Sequence, residues 1–237
     1  MHRVCDGVQI LLVALLAIPC RKRAASFDVL VTEAGKGIQP TEGLYEKADR
    51  SRVRNPGRRD QAPGGKDEDK DGGFEHGGWT LPYWHDDIGR AFFAMMQDVD
   101  AILLGRRTYV THADAFEPMA PGDPFGDLMN APKKYVVSKT LKKPKWRNTT
   151  IIRGNVIESV RALKGEPGKN IVTDGSSQLV HALLADDLVD ELHLTLYPIA
   201  LGSGKRVLPS GVNTTFSLTS ATPYPTGVVG LHYTRQR

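Results

Sequence analysis

Apolar residues along most of the chain recur with the periods of helices and strands. Between residues 85 and 98 they return every three or four positions, which predicts an amphipathic helix. Short uninterrupted apolar runs, together with one alternating run, predict strands. The predicted helices are 85–98, 156–164 and 176–186, and the predicted strands are 101–104, 135–137, 151–152, 170–173, 191–197 and 227–233.

The order of these elements indicates an α/β fold. Short strands alternate with helices through the middle of the chain, which is typical of parallel strands joined by helical crossovers. Strands of this kind are covered by helices on both faces and therefore form continuous apolar runs. The last strands follow one another without a predicted helix, so we expect them to be antiparallel. The sequence thus predicts a mainly parallel mixed sheet flanked by helices.

The first sixty residues do not follow this pattern. Residues 8–18 are apolar except for Gln9, a length that is too short to span a bilayer but suits the core of a signal peptide. The basic run at 21–23 follows directly, which is unfavourable for export. Residues 35–59 are rich in Gly, Pro, Lys and Arg and predict disorder.

These features predict an atypical, partly disordered extension over residues 1–60, with one candidate strand at 27–33. The main domain is predicted over 61–237. A cytoplasmic protein without a membrane partner is expected. Export or membrane tethering through residues 1–23 is the alternative.

Composition narrows the classes of function. Hydrophobic residues make up 40% of the 237 residues and charged residues 24%, which is sufficient for a globular core. The net charge of +4 suits an anionic small ligand. Because no cluster of Lys and Arg is interleaved with aromatic residues, we expect no nucleic-acid partner. Cys5 and Cys20 are the two cysteines, so the main domain has no disulfide, cysteine nucleophile or cysteine zinc site.

Three polar turns follow predicted strands, at residues 105–109, 138–140 and 174–178. In an open α/β sheet, ligands bind beyond the carboxyl ends of the strands. Free backbone N–H groups at the start of a helix favour phosphate, and Arg106 and Arg107 add charge-assisted hydrogen bonds. Together the turns predict a nucleotide with more than one phosphate. The alternative for each turn alone is a simple helix cap.

Other polar patterns predict no metal site. Asp67, Asp69 and Asp71 have the spacing that opens a calcium-binding EF-hand loop, but the twelfth position is Gly78 instead of glutamate. We therefore expect a solvated acidic loop. No two histidines stand at ligand spacing on a predicted helix, and Glu191 with its neighbour Asp190 is expected to be structural. The histidines considered are His76, His85, His112, His181, His193 and His232.

Several of these segments resemble one known family. The run 103–109, Leu-Leu-Gly-Arg-Arg-Thr-Tyr, resembles the Gly-Arg-x-Thr-aromatic signature of dihydrofolate-reductase-like proteins, and residues 135–139 resemble their following strand and serine. Residues 174–204 are similar to the reductase domain of the bifunctional riboflavin-biosynthesis deaminase-reductase. The glycine-rich stretch 62–79 is similar to stand-alone bacterial relatives of that domain. The resemblance extends over residues 61–233.

The resemblance implies a three-layer dihydrofolate-reductase-like fold and an NADPH-dependent reductase. Arg106, Ser138 and Lys139 would contact the 2′-phosphate of NADPH, while Arg107 and Thr108 would hold phosphate at the start of their helix. The third turn would line the pyrophosphate. The implied cofactor residues are Gly105, Arg106, Arg107, Thr108, Ser138, Lys139, Gly175, Ser176, Ser177 and Gln178.

The resemblance also implies a small heterocyclic or carbonyl-type substrate and a homodimer. Reduction of 5-amino-6-(5-phosphoribosylamino)uracil is the nearest named reaction, and Trp79 is the candidate for the border of the substrate pocket. Relatives carry a Ser-Leu-Asp-Gly-type turn after their first strand, whereas the candidate strand at 27–33 is followed by no such turn. A non-catalytic nucleotide-binding protein of the same fold is therefore the alternative.

Overall fold

An eight-stranded sheet forms the centre of the structure, a computed structural model that describes residues 11–18, 60–211 and 213–236. In chain order its strands are β1 Leu11–Ile18, β2 Val99–Gly105, β3 Lys133–Val137, β4 Thr149–Ile152, β5 Asn170–Asp174, β6 Glu191–Tyr197, β7 Phe216–Pro223 and β8 Val229–Arg235. They lie in the order β4-β3-β2-β5-β1-β6-β8-β7. Strands β2, β3, β4 and β5 are parallel, and the other neighbouring pairs are antiparallel. The predicted mixed α/β sheet is confirmed.

Helices cover the sheet in the described part of the chain. They are α1 Asp86–Met96, α2 Arg106–Phe116, α3 Pro124–Asn130, α4 Val156–Gly165 and α5 Ser177–Ala185, with short 3₁₀ helices at Asp71–Gly73 and Leu81–Tyr83. Side-chain caps set three of the starts: the His85 ring accepts a hydrogen bond from the Asp87 N–H, and Asp123 and Asn155 cap α3 and α4 in the same way. None of the helices in this part is long and apolar enough to cross a membrane.

The helices form two layers, one on each face of the sheet. Along β2, Ala101 and Leu103 pack with residues of α4 and α5 in one core cluster. The alternate residues Ile102 and Leu104 pack with residues of α1, α2 and α3 in a second cluster. Because both faces of β2 are buried, its apolar residues run without a polar interruption. This arrangement places helices α2 and α5 directly after parallel strands that end at the same edge.

The apolar run near the N-terminus forms a strand inside the sheet. β1 lies between β5 and β6 and is antiparallel to both, with Leu15 opposite Asp174 and Leu12 opposite Leu196. The sequence-based boundary at residue 61 therefore leaves out one strand. The reason is that a short apolar run suits a signal peptide and a buried strand equally well. The candidate strand at 27–33 lies outside the described residues.

The sequence patterns did not predict α2 in full, α3 or β7. Helix α2 buries only Tyr109 and Ala113, one turn apart, and its other positions are largely polar. Helix α3 has only seven residues, too few for a clear period. Strand β7 has no buried residue and therefore lacks an apolar alternation. The other predicted elements agree with the structure to within two residues at each end.

Candidate active site

A cleft of about 1690 Å³ lies along the sheet. Its lining includes the three polar turns at the carboxyl ends of β2, β3 and β5, and it reaches residues of the outer strands β6, β7 and β8. Parallel strands bring their carboxyl ends to one edge of the sheet, which is why turns distant in sequence meet here. All ten residues implied as cofactor contacts line this cleft: Gly105, Arg106, Arg107, Thr108, Ser138, Lys139, Gly175, Ser176, Ser177 and Gln178.

Two hydrogen bonds join the first and third turns. The Gly105 N–H donates to Ser176 Oγ (2.9 Å), and Ser176 Oγ donates to Thr108 Oγ1 (3.0 Å). Gly175 and Ser176 both have left-handed backbone conformations, with φ of 60° and 54°. A Cβ at Gly105 would lie 3.3 Å from Ser176 Oγ, so glycine permits this close approach. Ser176 is therefore not a simple helix cap, since its side chain joins the starts of α2 and α5.

The second turn and Arg106 of the first turn together supply two cations and a buried hydroxyl. Arg106 donates to Thr140 Oγ1 (2.9 Å), and the neighbouring Lys139 is exposed. Ser138 is buried, and its Oγ accepts hydrogen bonds from the N–H groups of Thr140 (3.2 Å) and Leu141 (2.9 Å). Because the described residues offer it no acceptor, its hydroxyl proton can be donated to an anion. This end of the cleft combines a guanidinium, an ammonium and a hydroxyl donor.

An acidic loop of the chain itself pairs with Arg107. The Arg107 guanidinium donates to Asp71 Oδ2, which also accepts from Lys205 Nζ (3.0 Å). Lys205 pairs with Asp69 as well. Hydrogen bonds from Lys205 and Arg107 hold the pKa of Asp71 below its usual range. Two carboxylates with the EF-hand-like spacing thus pair with Arg107 and Lys205 of the cleft wall.

A carboxylate lies at the start of α5, where the resemblance implies pyrophosphate. Ser177 Oγ donates to Asp60 Oδ2 (2.8 Å). Burial raises the pKa of Asp60 to about 6. The other oxygen, Oδ1, is buried and has no hydrogen-bond partner among the residues that the structure describes. The hydrogen bond from Ser177 favours the ionised carboxylate, but burial outweighs it. Asp60 escaped the sequence analysis because it falls at the end of the segment assigned to the extension.

His112 and Asp174 form a second pair that the sequence patterns did not indicate. His112 projects from α2 and Asp174 ends β5, and their Nε2 and Oδ2 atoms lie 3.1 Å apart in the cleft lining. Their side chains are only 15% and 24% exposed. A carboxylate that binds one ring nitrogen fixes the orientation and the tautomer of an imidazole. The pair is thus able to hold a proton at a defined position inside the cleft.

Three polar groups meet on the face of the outer strands, and we name them the Glu–His cluster: Glu191, His193 and His232. His193 on β6 stands opposite His232 on β8, and their rings stack with centroids 4.1 Å apart. Glu191 Oε2 lies 3.3 Å from Nε2 of His193 and 3.2 Å from Nε2 of His232. Hydrogen bonding to His193 lowers the pKa of Glu191, and burial lowers the pKa of His232.

The Glu–His cluster was missed because only helical spacings of histidine were considered. Alternate residues of a strand share a face, so the spacing Glu191-x-His193 within a predicted strand was the available signal. The partner His232 lies in another predicted strand, and no sequence spacing reveals which strands are neighbours. The cluster is therefore a product of the sheet topology.

Trp79, the candidate for the border of the substrate pocket, is not among the residues that line the cleft. Its indole is 5% exposed, donates to the backbone oxygen of Gln61 (2.9 Å) and packs edge-to-face on Tyr197. It belongs to a small core cluster with Phe74. The neighbouring Trp84, which is 57% exposed, lines the cleft instead.

The strand-end turns fit a phosphorylated nucleotide. Two helix starts lie together, glycine and left-handed residues allow close backbone approach, and Arg106 and Lys139 stand at one side. The carboxylate of Asp60 already occupies one anion position. Together with the sheet order, these features define the class of the protein, an α/β domain of the dihydrofolate-reductase-like fold.

Comparison with known proteins gives the family. The family model of the RibD C-terminal domain matches residues 70–230, and the chain belongs to this family. Two uncharacterized proteins of Bacillus subtilis (strain 168) are similar. YyaP is 31% identical over 50% of this chain and 64% of its own length, and YwjB is 30% identical over 59% and 75%. A solved structure from Shewanella sp. PV-4, provisionally named a riboflavin biosynthesis protein, is 21% identical with a TM-score of 0.51 over 62% of this chain and 80% of that one. That likeness supports the fold.

Proposed function

We propose that the chain is an NADPH-dependent reductase acting on a small heterocyclic or carbonyl-type substrate. The observation that carries the proposal is the convergence of three strand-end turns on one cleft, with two helix starts joined through Ser176 and a cationic side formed by Arg106 and Lys139. Membership of the RibD C-terminal domain family supports a reductase. The nearest named reaction is the reduction of 5-amino-6-(5-phosphoribosylamino)uracil.

In this proposal the turns and helix starts at the carboxyl ends of β2, β3 and β5 bind different parts of the cofactor. Arg106, Ser138 and Lys139 bind the 2′-phosphate, because a planar guanidinium and a free hydroxyl proton match its oxygens. The starts of α2 and α5 bind the pyrophosphate. NADPH supplies a hydride from its nicotinamide ring. The chain's own task is to orient that ring and the substrate, and the His112–Asp174 pair lies in the same cleft to position a proton.

The substrate is proposed to lie in the part of the cleft that faces β6 and β8. Thr195, Tyr197 and Tyr224 line this part together with the two histidines of the Glu–His cluster. Aromatic and hydroxyl side chains suit a planar heterocycle with polar substituents. A homodimer remains a prediction from the family resemblance.

Loss of the Arg106 guanidinium should weaken NADPH binding. In a fluorescence titration of purified protein, we expect the Arg106→Ala variant to bind NADPH at least about tenfold more weakly, which corresponds to about 1.4 kcal/mol. NADH lacks the 2′-phosphate, so its binding should be weaker in the wild type and nearly unchanged in the variant. Arg161→Ala is the matched control, because Arg161 is an exposed arginine of α4 that pairs with Asp186 outside the cleft.

Equal NADPH affinities of the wild type and both variants would show that the cationic turn is not the 2′-phosphate site.

A turnover assay separates the reductase from the alternative of a non-catalytic nucleotide-binding protein. It is followed as NADPH oxidation with a panel of aminopyrimidine and carbonyl substrates. That alternative has an observation in its favour, because Asp60 and Asp71 already engage Ser177 and Arg107. NADPH binding without oxidation by any substrate of the panel would support it.

A further inference from the structure

We infer that the Glu–His cluster is a binding site for a divalent transition-metal ion with the ligand preferences of Zn²⁺. The three potential ligands are Glu191, His193 and His232, and their ligand atoms all lie within 4.8 Å of one another. The site belongs to β6 and β8, whereas the nucleotide turns follow β2, β3 and β5. The inference goes beyond the proposed reductase function and does not depend on it. It differs from the sequence-based expectation that the domain has no metal site.

The sheet itself places the three ligands on one face. Glu191 and His193 are alternate residues of β6 and therefore point to the same side of the strand. His193 and His232 are directly opposite each other in the antiparallel pair β6–β8, and Glu191 is paired with Thr234, two positions beyond His232. The paired strands fix the backbone positions of the three ligands, so only side-chain torsions change when an ion enters, which favours binding.

The distances match the coordination of a small ion. In a tetrahedral zinc site with ligand bonds of about 2.1 Å, neighbouring ligand atoms are about 3.4 Å apart. Glu191 Oε2 lies 3.3 Å from Nε2 of His193 and 3.2 Å from Nε2 of His232. The two rings are stacked with an interplanar angle of 19°, so an ion bound by all three atoms requires the imidazoles to turn until both Nε2 atoms point toward it.

The donor set and the exposure also suit such an ion. Two imidazoles and one carboxylate are typical ligands of zinc sites that keep a fourth position open. The side chains of His193 and His232 are each 27% exposed and that of Glu191 is 30% exposed. Both histidines line the cleft. An ion bound here is thus reachable from solvent, and its fourth position is free for water or for an oxygen atom of a ligand.

Isothermal titration calorimetry with ZnCl₂ tests the inference on the untagged full-length chain, treated with a chelator and free of nicotinamide cofactor. We expect one zinc ion to bind the cluster with a dissociation constant that is roughly micromolar or lower. Glu191→Gln keeps the shape of the side chain but removes its charge, and His232→Asn removes one imidazole. Each variant should weaken this binding at least about tenfold, since even the loss of an outer partner commonly costs that much.

Controls separate the cluster from other ligands in the chain. His76 is an exposed histidine that contacts Phe74, so His76→Gln should bind zinc like the wild type. A Cys5→Ser/Cys20→Ser chain should also keep the site, which excludes thiol ligands. Zinc should raise the melting temperature of the wild type but not of Glu191→Gln. The inference is overturned if the wild type binds no zinc, or if Glu191→Gln and His232→Asn bind it with wild-type affinity.

Discussion

Replacing Asp60 by asparagine is expected to stabilise the fold at pH 8 by about 1 to 2 kcal/mol. Burial raises the pKa of Asp60 from 3.8 to about 6, which means that the folded protein disfavours the charged form. Asparagine keeps an oxygen that accepts the hydrogen bond from Ser177 Oγ. It also removes the negative charge, while its amide nitrogen takes the position of the buried Oδ1 atom, for which the described residues provide no partner. Urea unfolding at pH 8 measures the gain.

The gain should depend on pH in a defined direction. Because the folded-state pKa lies above the unfolded value of 3.8, the folded wild type takes up a proton before the unfolded chain does. The charged form of Asp60 lowers the free energy of unfolding of the wild type by its full amount above about pH 6. This loss disappears as the pH falls toward about 4. The stability of Asp60→Asn and of the wild type should therefore converge on acidification.

The same substitution should tighten NADPH binding by at least roughly threefold, because it removes a negative charge from the start of α5 where pyrophosphate is proposed to bind. Asp67→Asn is the matched control, since Asp67 is an exposed aspartate that pairs with Lys70. Such a pair contributes little to stability. A destabilised Asp60→Asn at pH 8, or an effect equal to that of the control, would contradict the assignment.

Replacing Trp146 by alanine is expected to lower the free energy of unfolding by about 4 kcal/mol. Trp146 is 2% exposed, and its indole Nε1 donates to Asn130 Oδ1 (2.6 Å). Its ring packs near those of Tyr109 and Phe116, and its backbone N–H donates to the Tyr109 hydroxyl (2.9 Å). The substitution removes this packing and leaves a buried amide oxygen without its donor. Since Tyr109 and Phe116 belong to α2, the variant also loosens the helix that begins with Arg106.

Urea unfolding of Trp146→Ala, compared with Trp84→Ala, measures this contribution. Trp84 is 57% exposed at the cleft, so its loss should cost less than about 1 kcal/mol. NADPH affinity provides a second readout, because displacement of α2 should weaken binding in Trp146→Ala. Equal stabilities of the two variants would show that Trp146 does not hold α2 to the sheet.

The fold could be predicted where burial imposes a clear period. Helix α5 buries Leu179, Val180, Leu183 and Leu184, and the helical spacing of these apolar residues predicts the helix from the sequence. Helix α2 could not be identified in this way, because its packing rests on few side chains and on the hydrogen bond from Trp146, which is distant in sequence. Strand β1 was assigned to an extension, since an apolar run does not reveal whether a sheet or a membrane surrounds it.

The site residues at the strand ends could be predicted from the sequence. The contacts that side chains from distant parts of the sequence make with them could not. The ten implied cofactor residues follow parallel strands, so the topology brings them to one cleft. Asp60 and Asp71 reach Ser177 and Arg107 from a loop far away in sequence, and no local pattern indicates such contacts. The Glu–His cluster likewise depends on β6 and β8 being neighbours.

Hydrogen–deuterium exchange of the full chain with and without NADPH tests the central claim most directly. If the three turns form the cofactor site, NADPH should slow amide exchange in residues 105–109, 138–141 and 174–178, because bound phosphate engages or shields those N–H groups. NADH should protect the segment 138–141 less, since it lacks the 2′-phosphate. Saturating NADPH that leaves all three segments unprotected, or that protects only the outer strands, would contradict the proposed site.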